Sequence, residues 1–447
     1  MKKGLFFALA ASSLLFSACS SDDAVVSTEG QNEAVQQIVL QVASSGDGLT
    51  TRAGRPLYSS QALQTIQNVR VVIYNADTKD IVKDATQDWT KSTTYNNHGH
   101  GRQFTLTFKG NDRLEKGNYK VMAVGYSNES DYEYSLNATS AVGLTYGDIT
   151  ATLKAGKKEA EEVFAGDADL KIGDDKKITN LTSGEENGVA VTLHRQVAGS
   201  FGYFQNIPAK VNGKAAATLR LVVRDKNDVL TFNNFNSSFT ANGATGSTIK
   251  YYVNGSKSTS AATADAKFNN NEDGYVLYSI DLSKWFTEGD KNKDGLLNAE
   301  DTWQHPGDVK TQVVQGSVFG SSFVIPFNLT SGKSTMELQL LDAEGNIIKF
   351  WTVSIPSTDV NSDDTKGVTD ENASIFNVVR NHMYNLGVKT SNGTTDPDPS
   401  NPTPDPDPDK PKPEPGTDQP EDLSKSQNLI LKVNDNWEAI HKLVLGD

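Results

Sequence analysis

The sequence predicts an all-β protein of two tandem antiparallel β-sandwiches, followed by a Pro/Asp-rich tether and a separate terminal strand. Three observations predict it. Short runs of alternating or β-branched residues recur from Val69-Arg-Val-Val-Ile-Tyr74 onward, separated by Asn, Asp and Gly clusters such as Lys109-Gly-Asn-Asp112. At 447 residues the chain exceeds one ordinary core. Ten of its fifteen prolines fall between Pro397 and Pro420, and an alternating run, Leu429-Ile-Leu-Lys-Val433, lies beyond them.

Composition narrows the function classes. A formal net charge of -14 argues against a nucleic-acid or polyanion partner. The single cysteine, Cys19, excludes a disulfide framework or a cysteine metal site within one chain. The six histidines are scattered, and His98-Gly-His100 reads as a Gly-rich loop. With no phosphate loop, nucleophile motif or paired acid in view, an enzyme is the least supported class.

At the start, Lys2 and Lys3 form a basic segment, Gly4 to Phe16 an apolar one, and Ser17-Ala18 a small-residue cut site directly before Cys19. The apolar stretch is too short to span a membrane as a helix. Residues 1–18 therefore read as a lipoprotein signal, with Cys19 lipidated by acyl chains such as palmitate and the precursor held in the outer membrane. Each buried methylene of such a chain contributes about 0.8 kcal/mol. Ser20-Ser-Asp-Asp23 resembles the acidic surface-export tag of Bacteroidetes lipoproteins.

Residues 19–52 read as a propeptide. It contains Ile38-Val-Leu-Gln-Val42, whose Ile38, Leu40 and Val42 share one face of a strand. A Gly/Ser/Thr segment follows and exposes a tryptic-type cleavage point at Arg52, before Ala53, with Arg55 as the alternative. Residues 53–188 form the first expected sandwich, with strands at Val69–Tyr74, 104–108, 119–124 and 149–153. Residues 189–390 form the second. Its strands begin at Val189-Ala-Val-Thr-Leu193 and continue through 218–223, 275–280, 323–327, 336–340, 347–353 and 384–388. Pro326 marks an edge or bulge within the 323–327 run. Helical periodicity is thin, the best case being a short turn over 59–67.

Residues 391–427 read as an extended linker, whose thirty-odd residues reach roughly 100 Å at about 3.1 Å each. Residues 428–447 form the tail. Leu429, Leu431 and Val433 alternate as Ile38, Leu40 and Val42 do, and Trp437 follows as a candidate anchor. Two near-copies of one strand thus flank the body. If the first is cut away its groove needs a replacement, and a neighbour's tail carries one.

One metal motif stands out. Asp290, Asn292, Asp294, Asn298 and Asp301 fall at loop positions one, three, five, nine and twelve, Leu296 offers its carbonyl at seven, and Gly295 supplies the turn at six. That spacing predicts one structural calcium ion. Asp at position twelve resembles dockerin-type loops, and Trp285-Phe286 and Trp303 are placed to pin both ends. The competing reading is an acidic hairpin loop.

Four segments in order, Thr51-Arg52-Ala53, Glu161-Glu-Val-Phe-Ala-Gly166, Val191-Thr-Leu-His-Arg-Gln-Val-Ala198 and Val379-Arg-Asn-His-Met-Tyr384, resemble motifs of the Bacteroidetes fimbrillin family, the type V pilins, and its short-fimbria major-subunit branch in particular. The resemblance implies two transthyretin-like sandwich domains, lipoprotein export, cleavage by an arginine-specific protease, and a homopolymer of identical or related subunits joined through the C-terminal strand. The expected role is thus a structural subunit of a surface fimbria, with a shaft pilin first. A tip or accessory adhesin, or an anchored glycan-binding lipoprotein, are the alternatives.

Overall fold

A computed structural model describes residues 35–42, 66–95, 101–128, 130–135, 142–157, 160–183, 185, 187–232, 254–258, 263–309, 313–328, 336–354, 377–378, 380, 383–387, 419–425 and 428–434. Among these the fold is all-β, with helical geometry confined to three-residue 3-10 turns such as Trp89–Lys91 and Leu282–Lys284.

The first sandwich packs a four-stranded sheet on a five-stranded one. The former runs Gly188–Thr192, Gln36–Val42, Gly101–Phe108, Thr93–Tyr95; the latter runs His194–Arg195, Phe164–Ile172, Gly117–Tyr126, Asn68–Asn75, Ile81–Asp88. Val69, Val71 and Ile73 point one way and Val72 and Tyr74 the other, and all five are buried. The Asn68–Asn75 strand therefore sits between two cores, with Arg70 the one charged residue in its apolar run. Ile38, Leu40, Leu106, Val121, Phe164 and Val189 fill the space between the two sheets.

The second sandwich is larger. One sheet runs Ser317–Val324, Ala198–Gln205, Met383–Leu386, Lys432–Asn434. The other runs Ala266–Lys267, Asp273–Asp281, Thr218–Val223, Met336–Leu341, Ile347–Ser354, Asn428–Ile430. Its core is aromatic: Phe201, Tyr203, Phe319 and Trp351 are buried together, with Phe201 and Phe319 stacked at 5.5 Å. A further four-stranded sheet, Gly255–Ser256, Val229–Phe232, Ile149–Leu153, Tyr132–Tyr134, ties the two halves by pairing Leu230 with Ala151.

Three expectations change. The Val189-Ala-Val-Thr-Leu193 run, expected to open the second sandwich, instead pairs in parallel with Gln36–Val42 in the first. The 323–327 run is not one strand: Ser317–Val324 ends before Pro326, and Phe327–Asn328 pairs separately with Asn377–Val378. Pro326 has no N–H to donate to a ladder, and its carbonyl accepts from Asn227 Nδ2 at 2.7 Å. The expected linker also ends early, because Glu421–Asp422 pairs with Phe204 and Gln205, and Leu423 is fully buried. The turn expected at 59–67 lies almost wholly outside the described residues.

Candidate strand-exchange site

The leader strand Gln36–Val42 is an interior strand. Along its length it pairs antiparallel with Gly101–Phe108, placing Ile38 opposite Leu106 and Leu40 opposite Phe104. On its other side it pairs in parallel with Gly188–Thr192, placing Ile38 opposite Val189 and Leu40 opposite Val191. The parallel ladder is extended at both ends, where Gln37 N–H donates to Asn187 O and Leu193 N–H to Gln41 O. Ile38, Val39 and Leu40 are 1%, 3% and 0% exposed. Removing this strand would leave two unpaired edges and an open apolar core, a configuration that recruits another strand.

The N-terminal end of the slot is polar and buried. Gln36 is 1% exposed. Its Nε2 donates to the carbonyls of Leu114 at 3.0 Å and Lys176 at 2.9 Å, while its Oε1 accepts from Leu114 N–H at 2.8 Å. The amide is therefore bound on both its donor and its acceptor side, as burial demands.

The tail uses the same mixture of ladders, in shorter pieces. Asn428–Ile430 runs parallel to Ile347–Ser354, with Leu429 opposite Val353. Lys432–Asn434 then runs antiparallel to Met383–Leu386, with Val433 opposite Tyr384. Leu429 and Leu431 are fully buried in the second core. The tail thus closes the open side of its own second sandwich by bridging the edge of one sheet to the edge of the other. Glu421–Asp422 docks just upstream, where Asn206 Nδ2 donates to Asp422 Oδ2 at 3.0 Å.

Between the two sandwiches, three of the resembling segments come together. His194 and Arg195 pair with Ala165 and Phe164. Arg195 Nε and Nη2 donate to Glu162 Oε1 at 2.9 and 2.6 Å, both side chains almost wholly buried, and the guanidinium lies 5.0 Å from the Phe164 ring centre. Gly166 is needed for this crossing, since a Cβ there would lie 2.0 Å from Thr192 O. Arg380, also buried, donates to Gln196 Oε1 at 3.2 Å. The segments carry a structural junction, which spacing alone did not reveal.

The 290–301 loop is held by contacts at its flanks and by hydrogen bonds within it. Phe286 bridges to Trp303, the Trp285 and Trp303 rings lie 6.1 Å apart, and Leu296–Leu297 pairs with Ile207–Pro208. Gly295 adopts φ +89° and donates to Asp290 Oδ2 at 3.1 Å. Asp301 accepts from Lys291 N–H at 2.8 Å and Asn298 N–H at 3.0 Å. Asn292 and Asn298 turn their amides to Asp294 Oδ2 at 3.1 and 2.7 Å. The Leu296 amide and the Asn298 side chain hold the Asp294 carboxyl below its usual range. Asp290 Oδ1 is buried without a hydrogen-bond partner. The fit to a cation is partial: one carboxylate oxygen is free, the other loop carboxylates are engaged within the loop, and no set of three or more acidic, His or Cys ligands is gathered among the described residues.

Other predicted site residues lie outside the described ones: Cys19, Arg52, Ala53, Arg55 and Trp437. The backbones of Val42 and Val433 lie in strands. Gln36 and Arg195 are the residues that sequence reasoning missed. A polar residue opening an apolar strand is the only local signal that could have marked Gln36.

No known protein family matches the sequence, and no curated protein matches it. Among solved structures the chain is similar to a fimbrial assembly protein from Parabacteroides distasonis ATCC 8503, with 14% identity, 80% of this chain and 92% of that one covered, and a TM-score of 0.32. It is similar to the fimbrial anchor protein Mfa2 from Porphyromonas gingivalis, with 12% identity, 79% and 90% covered, and a TM-score of 0.33. It is also similar to the tip fimbrial protein Mfa3 from Porphyromonas gingivalis, with C-terminal truncation, at 8% identity, 79% and 94% covered, and a TM-score of 0.33. At these identities and TM-scores no functional residue carries over from any of them.

Proposed function

We propose that this chain is a structural subunit, a shaft pilin, of a surface fimbria. It is exported as a lipoprotein on Cys19, cut after Arg52, and polymerised when the tail of one subunit enters the slot vacated by the leader strand of the next. The observation that carries this reading is the interior position of Gln36–Val42. A cut at Arg52 would leave that strand held by pairing alone and would break the covalent link between the body and its lipid, so that both are lost together when the strand leaves.

Pairing lengths give the exchange a direction. Among the described residues the tail pairs in its own subunit over two runs of three residues, Asn428–Ile430 and Lys432–Asn434. The slot holds a strand of seven residues, Gln36–Val42, with neighbours on both sides. Each ladder hydrogen bond gained contributes about 0.5–1.5 kcal/mol net, and each aliphatic that refills the opened slot about 1.5–3 kcal/mol. Before the cut every slot is filled by its own chain, so precursors have no reason to assemble with one another. A calcium ion held by Asp290, Asn292, Asp294, Leu296, Asn298 and Asp301 would be structural and remote from this chemistry; the free Asp290 Oδ1 supports it.

The test is the N-terminal sequence and mass of protein sheared from cells, with SDS denaturation at graded temperature. The reading expects a start at Ala53 or Pro56 and a ladder of SDS-resistant oligomers, lost on deleting residues 429–447. A lipidated Cys19 start with monomers only would contradict it and favour an anchored binding protein.

A further inference from the structure

We propose that Gln427 sets the register of strand exchange by occupying, in the neighbouring subunit, the amide socket that Gln36 fills in the precursor. The inference rests on the strand-exchange reading and adds to it a residue and a register. Aligning Leu429 and Leu431 with the buried Ile38 and Leu40 fixes an offset of 391 along the sequence. At that offset Gln427 falls on Gln36, the same residue type at a position where only a primary amide satisfies the surroundings. Ile430 falls on Val39, the apolar residue buried on the strand's other face, and Asn428 and Lys432 fall on the partly exposed Gln37 and Gln41.

The socket matters because alternation alone cannot set the register. A slip of one residue flips every side chain to the wrong face and is excluded by burial. A slip of two keeps the alternation and is not excluded that way. Sliding the tail so that Leu431 meets the Ile38 position puts Leu429 in the socket, where the Leu114 N–H and the Leu114 and Lys176 carbonyls lose their partners. Sliding it the other way puts Gln427 at the Ile38 position, which is 1% exposed and walled by Leu106 and Val189. Either slip buries polar groups without partners. Only the offset of 391 satisfies both the apolar positions and the socket, so one polar residue discriminates where three aliphatics do not, much as a buried polar residue fixes register in other assemblies.

The test uses processed full-length subunits, from which Cys19 has been removed with the leader. Leu106→Cys combined with Leu429→Cys is expected to give intermolecular disulfides throughout the ladder, because Leu429 would take the place of Ile38 opposite Leu106. Leu106→Cys combined with Leu431→Cys reports the two-residue slip and is expected to link poorly. Gln427→Ala should retain the ladder, shed subunits at least about tenfold faster, a loss of about 1.4 kcal/mol, and raise linkage in the slipped pair. Gln36→Ala should lower the melting temperature of the precursor and leave the assembled ladder unchanged, which separates the socket from the fold. Wild-type dissociation rates in Gln427→Ala, or preferential linkage of the Leu431 pair in the otherwise unaltered tail, would overturn the inference while leaving strand exchange standing. Absence of any ladder in the wild type would overturn both.

Discussion

Leu429 and Val353 stand opposite one another in a parallel ladder, both buried in the core of the second sandwich. The residue that the sequence marks for a neighbour is therefore, before assembly, part of its own subunit's core. Leu429→Ala in the unprocessed protein is expected to cost about 2–5 kcal/mol, and Leu431→Ala a similar amount. Chemical denaturation of the two variants checks this, and values below about 1 kcal/mol would mean that the tail is not held there.

The leader strand makes a complementary prediction. Leu40→Ala should destabilise the precursor by about 2–5 kcal/mol and have no effect on the processed subunit, from which the strand has gone. Denaturation before and after cleavage separates the two. An equal effect in both forms would place Leu40 in the mature protein.

The junction between the sandwiches depends on Glu162 and Arg195. Glu162→Ala removes the carboxylate that faces a buried guanidinium and is expected to cost about 3–5 kcal/mol. Replacing both partners by apolar residues of similar volume should cost much less than either single change predicts. A double-mutant cycle on thermal unfolding measures the coupling.

For the 290–301 loop, calcium is expected to raise the melting temperature of the wild type and not of Asp290→Asn, whose melting temperature without calcium should be close to wild type. Calorimetry with and without calcium decides it. An equal response in both proteins would remove the loop from the account.

The docking of residues 421–423 carries a pH signature. Burial alone would raise the Asp422 carboxyl, yet hydrogen bonds from Ser424, Lys425 and Asn206 outweigh it and hold it at about 2, below its ordinary 3.8. A depressed pKa stabilises the fold above the ordinary value, and that contribution is lost as pH falls through about 2. Asp422→Asn should therefore cost up to about 2 kcal/mol at neutral pH and close to nothing at the acid limit. Denaturation midpoints of both proteins across that range provide the check.

Much of this was legible from the residues, for a physical reason. Alternation reports burial on one face, and it correctly marked Ile38, Leu40, Leu429 and Leu431 as core positions. It says nothing about which strand lies alongside. Gly188–Thr192 joins a partner some 150 residues earlier in the chain, and a parallel pairing of that span leaves no periodic trace. Composition likewise hid Leu423, one apolar residue behind a Pro-rich stretch, whose burial comes from the partner strand Ala198–Gln205. Gln36 and Arg195 were illegible because a buried polar residue is recognised only by its partners, and those lie on distant segments.

The measurement that tests the central claim most directly is chain capping. Arg52→Ala/Arg55→Ala protein keeps its leader strand in the slot but still carries a tail, so it can enter a processed subunit and accept none itself. Titrated into processed wild-type subunits before assembly, it should shorten the SDS-resistant ladder in proportion to its mole fraction and appear once, at the end, in each oligomer. A ladder of unchanged length, or one that incorporates the uncut protein at internal positions, would contradict polymerisation by exchange of the leader strand for a neighbour's tail.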